Sequence, residues 1–144
     1  MSDIVIPDNA TYIGTNAFGL TQLQNVTIGK NVLSIENGAF ATPTSNMSVY
    51  YTADVPKWCN IYFSNTAFPS HRFYIDKEEI VELAISSNIA NIQDYTFDHC
   101  ISLTSVNIYN SVTTIGKYAF SYCSYLKNAV ISNSVTSIGT GAFN

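Results

Sequence analysis

The chain has 144 residues, of which 47% are hydrophobic and only 11% charged, with a net charge of −4 and a pI of about 4.8. This length suits one domain with a substantial core, and low charge combined with 13% aromatic residues excludes intrinsic disorder. The acidic balance provides no basic surface for nucleic acid, and no apolar run approaches the roughly 20 residues of a membrane span. We therefore expect a single domain over residues 1–144 that neither binds nucleic acid nor inserts into a membrane.

Residues 1–40 contain two copies of one short pattern. Each copy begins with an alternating apolar pair, Ile4 with Ile6 and then Val26 with Ile28. Apolar residues two apart point to the same face of a strand, so each pair predicts a short half-buried strand. A single isoleucine follows each strand, and an Ala-Phe dipeptide closes each copy.

Residues 41–79 interrupt this pattern, because the interval from Phe40 to the next closing phenylalanine, Phe97, is more than twice that from Phe18 to Phe40. The stretch DVPKWCNI predicts a short helix with Asp54 as N-cap and Pro56 in its first turn. The stretches RFYID and IVELAI flank a polar Lys-Glu-Glu turn and predict a β-hairpin. The segment is thus an irregular insertion with a helix and a hairpin.

Aromatic rings are dense in this insertion and can be interpreted in two ways. They could form a platform for sugar or protein contact, or a local core that closes the interruption; the alternation in YIDKEEIVEL favours core packing for at least half of them. The rings belong to Tyr50, Tyr51, Trp58, Tyr62, Phe63, Phe68, Phe73 and Tyr74.

Residues 80–144 contain three further copies, whose closing phenylalanines follow one another at equal intervals. The group Ala119, Phe120, Cys123 and Leu126 has the spacing of one face of about two helical turns. The glycines that follow the single isoleucine in several copies are interpreted as a convenient entry into that helix. The five closing residues of the chain are Phe18, Phe40, Phe97, Phe120 and Phe143.

A fixed short period predicts a solenoid, in which stacked copies bury one continuous core. The units TSVNIYNSVTTIGKYAFSYCSYL and IVELAISSNIANIQDYTFDHCISL resemble the BspA-like leucine-rich repeats, whose pattern runs roughly L-x-x-V-x-I-P-x-x-V-x-x-I-G-x-x-A-F-x-x-C-x-x-L. The resemblance implies a strand-rich β/α leucine-rich-repeat solenoid of about five 22–23-residue repeats. Repeats 1–2 occupy residues 1–40, the insertion residues 41–79 and repeats 3–5 residues 80–144. It also implies surface or secreted proteins of host-associated microbes that bind partners rather than catalyse reactions.

Few residues here suit catalysis or metal binding. Cys100 and Cys123 occupy equivalent places in adjacent repeats, which allows a disulfide, but two buried thiols in matching core positions are the favoured interpretation. With Cys59 the total is odd, which fits a disulfide framework poorly. The two histidines, His71 and His99, are too few for a catalytic constellation or a zinc site, and Asp98-His99 aligns with outward positions of the next repeat. We expect no enzyme activity, no metal and no cofactor.

Strand alternation identifies a candidate binding surface. If Val106 and Ile108 point inward, their neighbours along the strand point outward, and solenoid strands commonly line a concave binding face. The same rule applies to the other repeats, and the insertion adds one aromatic candidate. The candidate partner-binding residues are Asn25, Thr27, Glu82, Ser105, Asn107, Tyr109, Asn128 and Trp58.

Three functional hypotheses follow. The first is an adhesion or protein-binding module that meets a host or microbial surface protein through its concave face and insertion, at the surface of a microbe or outside it. The second is a structural subunit of a virion or envelope layer, and the third is a glycan-binding module. Because solenoid ends need polar caps, the apolar residues of the first and last copies also predict self-association through uncapped ends.

Overall fold

The structure is a computed structural model that describes residues 2–41, 46–85 and 88–144. Residues 42–45 of the predicted insertion and residues 86–87 of the third predicted repeat lie outside the described residues. The elements, in chain order, are β1 (Asp3–Val5), β2 (Tyr12–Ile13), β3 (Asn25–Ile28), β4 (Ser34–Ile35), β5 (Met47–Tyr51), α1 (Val55–Cys59), β6 (Tyr62–Phe63), β7 (His71–Ile75), β8 (Glu78–Glu79), β9 (Glu82–Ile85), β10 (Asn91–Ile92), β11 (Ser105–Ile108), β12 (Thr114–Ile115), β13 (Asn128–Ile131) and β14 (Ser137–Ile138).

These strands build the predicted leucine-rich-repeat solenoid. The longer strands pair in parallel into two sheets, β1-β3-β5-β7 and β9-β11-β13, and β8 pairs antiparallel with β7 at the edge of the first. The two-residue strands form two further parallel sheets, β2-β4-β6 and β10-β12-β14. Within each sheet, every parallel strand is hydrogen-bonded to its counterpart in a neighbouring turn, which is how repeats that cannot bury their own apolar faces gain a common core.

The predicted register is confirmed on β3, β9 and β11, where the predicted apolar pairs are buried. Val106 and Ile108 are buried, whereas Ser105 and Asn107 on the same strand are partly exposed. The closing phenylalanines form stacked columns with ring centroids about 5 Å apart, close to the spacing of neighbouring strands. The stacked pairs are Phe18–Phe40 at 5.2 Å, Phe40–Phe68 at 4.9 Å, Phe97–Phe120 at 5.2 Å and Phe120–Phe143 at 5.2 Å.

The segment predicted as an irregular insertion contributes regular turns, so the solenoid has about six turns rather than five. Strands β5 and β7 continue the first sheet in register, with Val26 opposite Val49 and Val49 opposite Phe73. Phe68 takes the closing position, preceded by Ala67 as in most other copies. The loops of these turns are longer than those elsewhere. The repeat interval is therefore irregular in the sequence, although the strands still stack in register.

The predicted helix is confirmed, and the predicted hairpin is corrected. Helix α1 begins after the N-cap Asp54, whose carboxylate accepts the N–H of Lys57 at 2.9 Å. The hairpin joins β7 to β8 through Asp76 and Lys77, both with positive φ, as a tight two-residue turn requires. The stretch IVELAI is not its second strand, because β9 pairs with β11 in the other sheet.

The two helical turns predicted around residues 119–126 are wrong. Backbone N–H groups in this region bond to the next turn of the solenoid instead, from Tyr118 to the carbonyl of Thr140 and from Phe120 to that of Ala142. Tyr118 and Tyr122 also adopt positive φ, which an α-helix excludes. The apolar residues have helical spacing, but the backbone N–H groups bond to the neighbouring turn of the solenoid, so an α-helix does not form here.

Helix α1 and β7 connect the two longer-strand sheets through one core. The Trp58 indole N–H donates to the carbonyl of Thr96 at 2.9 Å. The ring of Phe73 lies 4.6 Å from Trp58 and 6.0 Å from Phe97. Apolar packing is therefore continuous across the point where the longer-strand sheet changes from β7 to β9.

Two glycines are required by close approach of successive turns, which corrects the interpretation of these residues as helix entries. A Cβ at Gly116 would lie 2.5 Å from the backbone nitrogen of Asp94, and a Cβ at Gly139 would lie 2.5 Å from that of Lys117. Neither glycine has positive φ, so the constraint is steric rather than conformational.

We expect Gly116→Ala to lower the free energy of unfolding by about 1–3 kcal/mol, because the added methyl group forces two backbones apart. Gly14 is the matched control, since its Cβ would meet only the side chain of Tyr12 at 3.4 Å. Gly14→Ala should change stability by less than about 0.5 kcal/mol. Urea denaturation of both variants tests this; equal losses would mean that the turns can separate freely.

Candidate functional site

The outward face of the second sheet brings together most of the predicted partner-binding residues. Ser105 lies beside Glu82 on one neighbouring strand and beside Asn128 on the other. Further along β11, the Asn107 amide donates to the Tyr109 hydroxyl at 2.9 Å, and Tyr109 is 45% exposed. These five side chains form a polar, weakly charged patch, here named the β9-β11-β13 face.

The outward face of the first sheet carries the other two polar candidates. The Asn25 amide donates to the Asp3 carboxylate at 2.6 Å, and Thr27 lies between Val5 and Tyr50 in the strand register. The structure therefore divides the predicted surface between two sheets.

Trp58 is not a surface residue, which corrects its place among the candidates. Its side chain is 1% exposed, packed edge-on against Tyr51 at 5.1 Å and held by the hydrogen bond to Thr96. The local-core interpretation of the aromatic segment is confirmed for five rings, which are buried: Tyr51, Trp58, Phe63, Phe68 and Phe73.

Two outward tyrosines of the aromatic segment lie on the first sheet, and they were not among the candidate partner-binding residues. Tyr50 and Tyr74 are directly opposite one another on β5 and β7, and their rings stack with centroids 4.6 Å apart. Thr27 is the next residue of this row, followed by Val5, which is 69% exposed. The alternation within MSVYY and HRFYI carried the signal, since Tyr50 and Tyr74 align once both stretches are treated as strands.

A groove lies beside this tyrosine pair. It has a volume of about 580 Å³ and is lined by Thr27, Tyr50, Tyr51, Thr52, Asp76 and Lys77. Asp76 and Lys77 form the β7-β8 turn, so the hairpin supplies one wall of the groove and β3 and β5 supply the floor. Its size is within the range of small-molecule sites.

A cluster of ionisable groups lies where β7 meets the second part of the solenoid, and it corrects the prediction that Asp98 is outward. Asp98 is 6% exposed and accepts a hydrogen bond from the Thr66 hydroxyl at 2.7 Å. His99 Nδ1 lies 3.0 Å from the Asp98 carboxylate without hydrogen-bond geometry. The backbone of His71 pairs with that of residues 99–101.

The His71 ring is buried and neutral at physiological pH. One ring nitrogen, Nδ1, lies 3.0 Å from the carbonyl of Pro69. Removal from water disfavours the charged imidazolium and lowers the pKa of His71 to about 4, against the smaller opposing effect of the contact with Pro69. The cluster is thus part of the packing between turns.

The three cysteines are buried free thiols, and this confirms the favoured interpretation of Cys100 and Cys123. Burial raises the pKa of Cys59 to about 12 and that of Cys100 to about 11. Cys123 has its pKa raised for the same reason, and its thiol donates to the Phe97 carbonyl at 3.1 Å. Raised pKa and burial both suppress the reactive thiolate.

We expect the native protein to resist thiol labelling by Ellman's reagent at pH 8, whereas the protein in guanidinium chloride should react at all three cysteines. Cys123, with 8% of its surface exposed, should be the first of the three to react. A Tyr125→Cys variant provides the control, because residue 125 is 60% exposed and should label at once. Rapid labelling of Cys59 or Cys100 in the folded state would contradict this.

Two classes of site have no structural support in the described part of the chain. Across residues 2–41, 46–85 and 88–144, no group of three or more His, Cys, Asp or Glu side chains is placed to hold a metal ion. Among the same residues, no helix is long and apolar enough to cross a membrane.

Comparisons with known proteins agree with this architecture. The family model described as the BspA type leucine-rich repeat region matches residues 1–68 and 66–144 in six copies. Among solved structures, the fold is similar to that of a leucine-rich cell surface protein from Faecalibacterium prausnitzii A2-165, with a TM-score of 0.56 and 22% sequence identity. The match covers 99% of this chain and 45% of that chain, so this chain spans less than half the length of that protein. No curated protein matches the chain.

Proposed function

Since the chain belongs to the BspA-type leucine-rich repeat family, we propose that it is a non-enzymatic adhesion or protein-binding module at the surface of a microbe. Solenoids of this family are typically non-catalytic, and a cell surface protein shares the fold. The partner is a host or microbial surface protein, bound through the outward faces of the longer strands.

The observation that carries the proposal is the β9-β11-β13 face. Glu82, Ser105 and Asn128 lie side by side across three strands, and Asn107 and Tyr109 extend the same surface. Polar side chains with an exposed tyrosine suit protein recognition, in which tyrosine is enriched. With Glu82 as its one charged member, this face provides little electrostatic steering, so we expect an association rate with weak salt dependence.

Site-specific photo-crosslinking on intact cells tests the proposal. A benzoylphenylalanine at Asn107 should give a discrete crosslinked protein, which excess unmodified chain should compete away. The matched control is the same residue at Tyr125, which is 60% exposed but lies outside the β9-β11-β13 face. Identical products from both positions, or no competed product at residue 107, would refute binding through this face.

As a second candidate function, we propose self-association of this chain through exposed apolar side chains of the turn that carries β14. Ile138 is 52% exposed, and Phe143 is 37% exposed although one side of its ring stacks on Phe120. An exposed apolar stacking face promotes association. We expect the 144-residue chain to self-associate at micromolar concentration in sedimentation velocity, and Ile138→Lys to weaken this. A monomer at every concentration would contradict the assembly role and leave the adhesion proposal intact.

A further inference from the structure

The groove beside Tyr50 has a specific geometric origin. The outward row of the first sheet runs Val5, Thr27, Tyr50 and Tyr74 across four parallel strands. Tyr74 covers one face of the Tyr50 ring at 4.6 Å, whereas the neighbour on the other side is a threonine, too short to cover a phenol ring. The tyrosine stack therefore ends at Tyr50, with a ring-sized space above Thr27.

The polar groups around this space include both hydrogen-bond donors and hydrogen-bond acceptors. Thr27 and Thr52 contribute hydroxyls, Asp76 a carboxylate and Lys77 an ammonium group. The Thr52 hydroxyl lies 3.3 Å from both the Ile28 carbonyl and the Asp8 carboxylate, which take up its one proton and leave its oxygen as an acceptor. In the described part of the chain, neither Asp76 nor Lys77 takes part in the ion pairs, which are Lys30–Asp8, Arg72–Glu79 and His99–Asp98.

We propose that this groove binds a neutral saccharide, with one pyranose ring stacked on the face of Tyr50 above Thr27 and its hydroxyls bonded to Asp76 and Lys77. One carboxylate and one ammonium leave no net charge, which favours a neutral ligand over an acidic one. A pyranose combines an apolar C–H face for the ring with hydroxyls that donate and accept. An aromatic peptide side chain would use the stacking face but form no hydrogen bonds with Asp76 and Lys77, so it would use fewer of the groups that line the groove.

This site is separate from the β9-β11-β13 face, so a saccharide can bind here whether or not that face binds a protein. Asp76 and Lys77 belong to a two-residue hairpin turn, in which both residues have positive φ. The turn therefore fixes the backbone positions from which both exposed side chains extend at the edge of the groove.

Isothermal titration calorimetry of the 144-residue protein with cellobiose, lactose and N,N′-diacetylchitobiose tests the proposal. We expect saturable, millimolar binding of at least one of these disaccharides. Tyr50→Ala should weaken it about tenfold, the loss expected for one aromatic stacking contact. Tyr50→Phe should retain it, because the ring face remains. Asp76→Asn should weaken it while keeping the turn, since asparagine also tolerates positive φ.

Tyr125→Ala is the matched control, because this tyrosine is 60% exposed, lies outside both the groove and the β9-β11-β13 face, and should leave saccharide binding unchanged. Failure of all three disaccharides to bind would overturn the proposal, as would equal binding by wild type and a folded Tyr50→Ala variant. Preference for 3′-sialyllactose over lactose would refute the neutral ligand. Binding of N-acetylphenylalaninamide at this groove without any disaccharide would assign it to a peptide. None of these results bears on crosslinking from residue 107.

Discussion

Replacing Phe97 or Phe120 with alanine is expected to lower the free energy of unfolding by roughly 3–5 kcal/mol, the loss typical of removing a buried aromatic ring. Both rings are 1% exposed, and Phe120 stacks between Phe97 and Phe143 at 5.2 Å on each side. Each truncation leaves a cavity in the column that joins successive turns, and backbone hydrogen bonds between those turns restrict collapse into it.

Three further variants, measured by urea denaturation, provide losses in the free energy of unfolding with which this result can be compared. Ser105→Ala and Asn107→Ala change outward side chains of β11 and should alter stability by no more than about 0.5 kcal/mol. Phe143→Ala should lie between the two classes, because that ring is 37% exposed and stacks on one neighbour of the column. Equal losses for Phe120→Ala and Asn107→Ala would show that the assigned inward and outward faces of the repeat are wrong.

The repeat register could be predicted from sequence because it depends on residues that are close together in the chain. Apolar residues two apart, such as Val106 and Ile108, specify which strand face is buried, and a one-residue slip would expose the entire set. The helix at Val55–Cys59 was equally local, since Asp54 and Pro56 mark its start. Signals of this kind need no knowledge of which turns neighbour one another.

The turns within residues 41–79 could not be found by period alone. Phe68 lies about midway between Phe40 and Phe97, so the interval on either side of it is longer than the regular one from Phe97 to Phe120. Longer loops change the spacing without changing what stacks, because the sheet requires only that β5 and β7 reach their neighbours. The Ala-Phe dipeptide that ends at Phe68 was the one feature of the repeat pattern that still indicated a turn in this segment.

The candidate site was predictable only in part, for a physical reason. Outward positions such as Asn107 and Tyr109 follow from alternation, but the exposure of Trp58 and Asp98 depends on residues far away in sequence. Trp58 is covered by packing against β7 and its bond to the carbonyl of Thr96, and Asp98 is engaged by the hydroxyl of a threonine in the preceding turn. The same dependence on neighbouring strands is why the Tyr50 groove appears only once the first sheet is assembled.

Stability should fall by about 2 kcal/mol between pH 7.5 and pH 5 because of His71 alone. The unfolded chain binds a proton at this imidazole below about pH 6.5, whereas the folded protein does so only below about pH 4. The unfolded state therefore holds more protons within this window, and stability decreases as the pH falls through it. His99 and the Asp98 carboxylate are the ionisable groups that act on His71, and both effects are smaller than that of burial.

A His71→Asn variant separates this effect from the ordinary response of surface groups. Asparagine can place an N–H near the position of His71 Nδ1, 3.0 Å from the Pro69 carbonyl, but it does not titrate. It loses the ring contact with Phe68 at 5.1 Å, so we expect lower stability at pH 7.5 but a much smaller decrease towards pH 5. His99→Gln keeps His71 and should retain the wild-type decrease. Urea denaturation at the two pH values measures all three proteins, and an undiminished pH response in His71→Asn would show that another group is responsible.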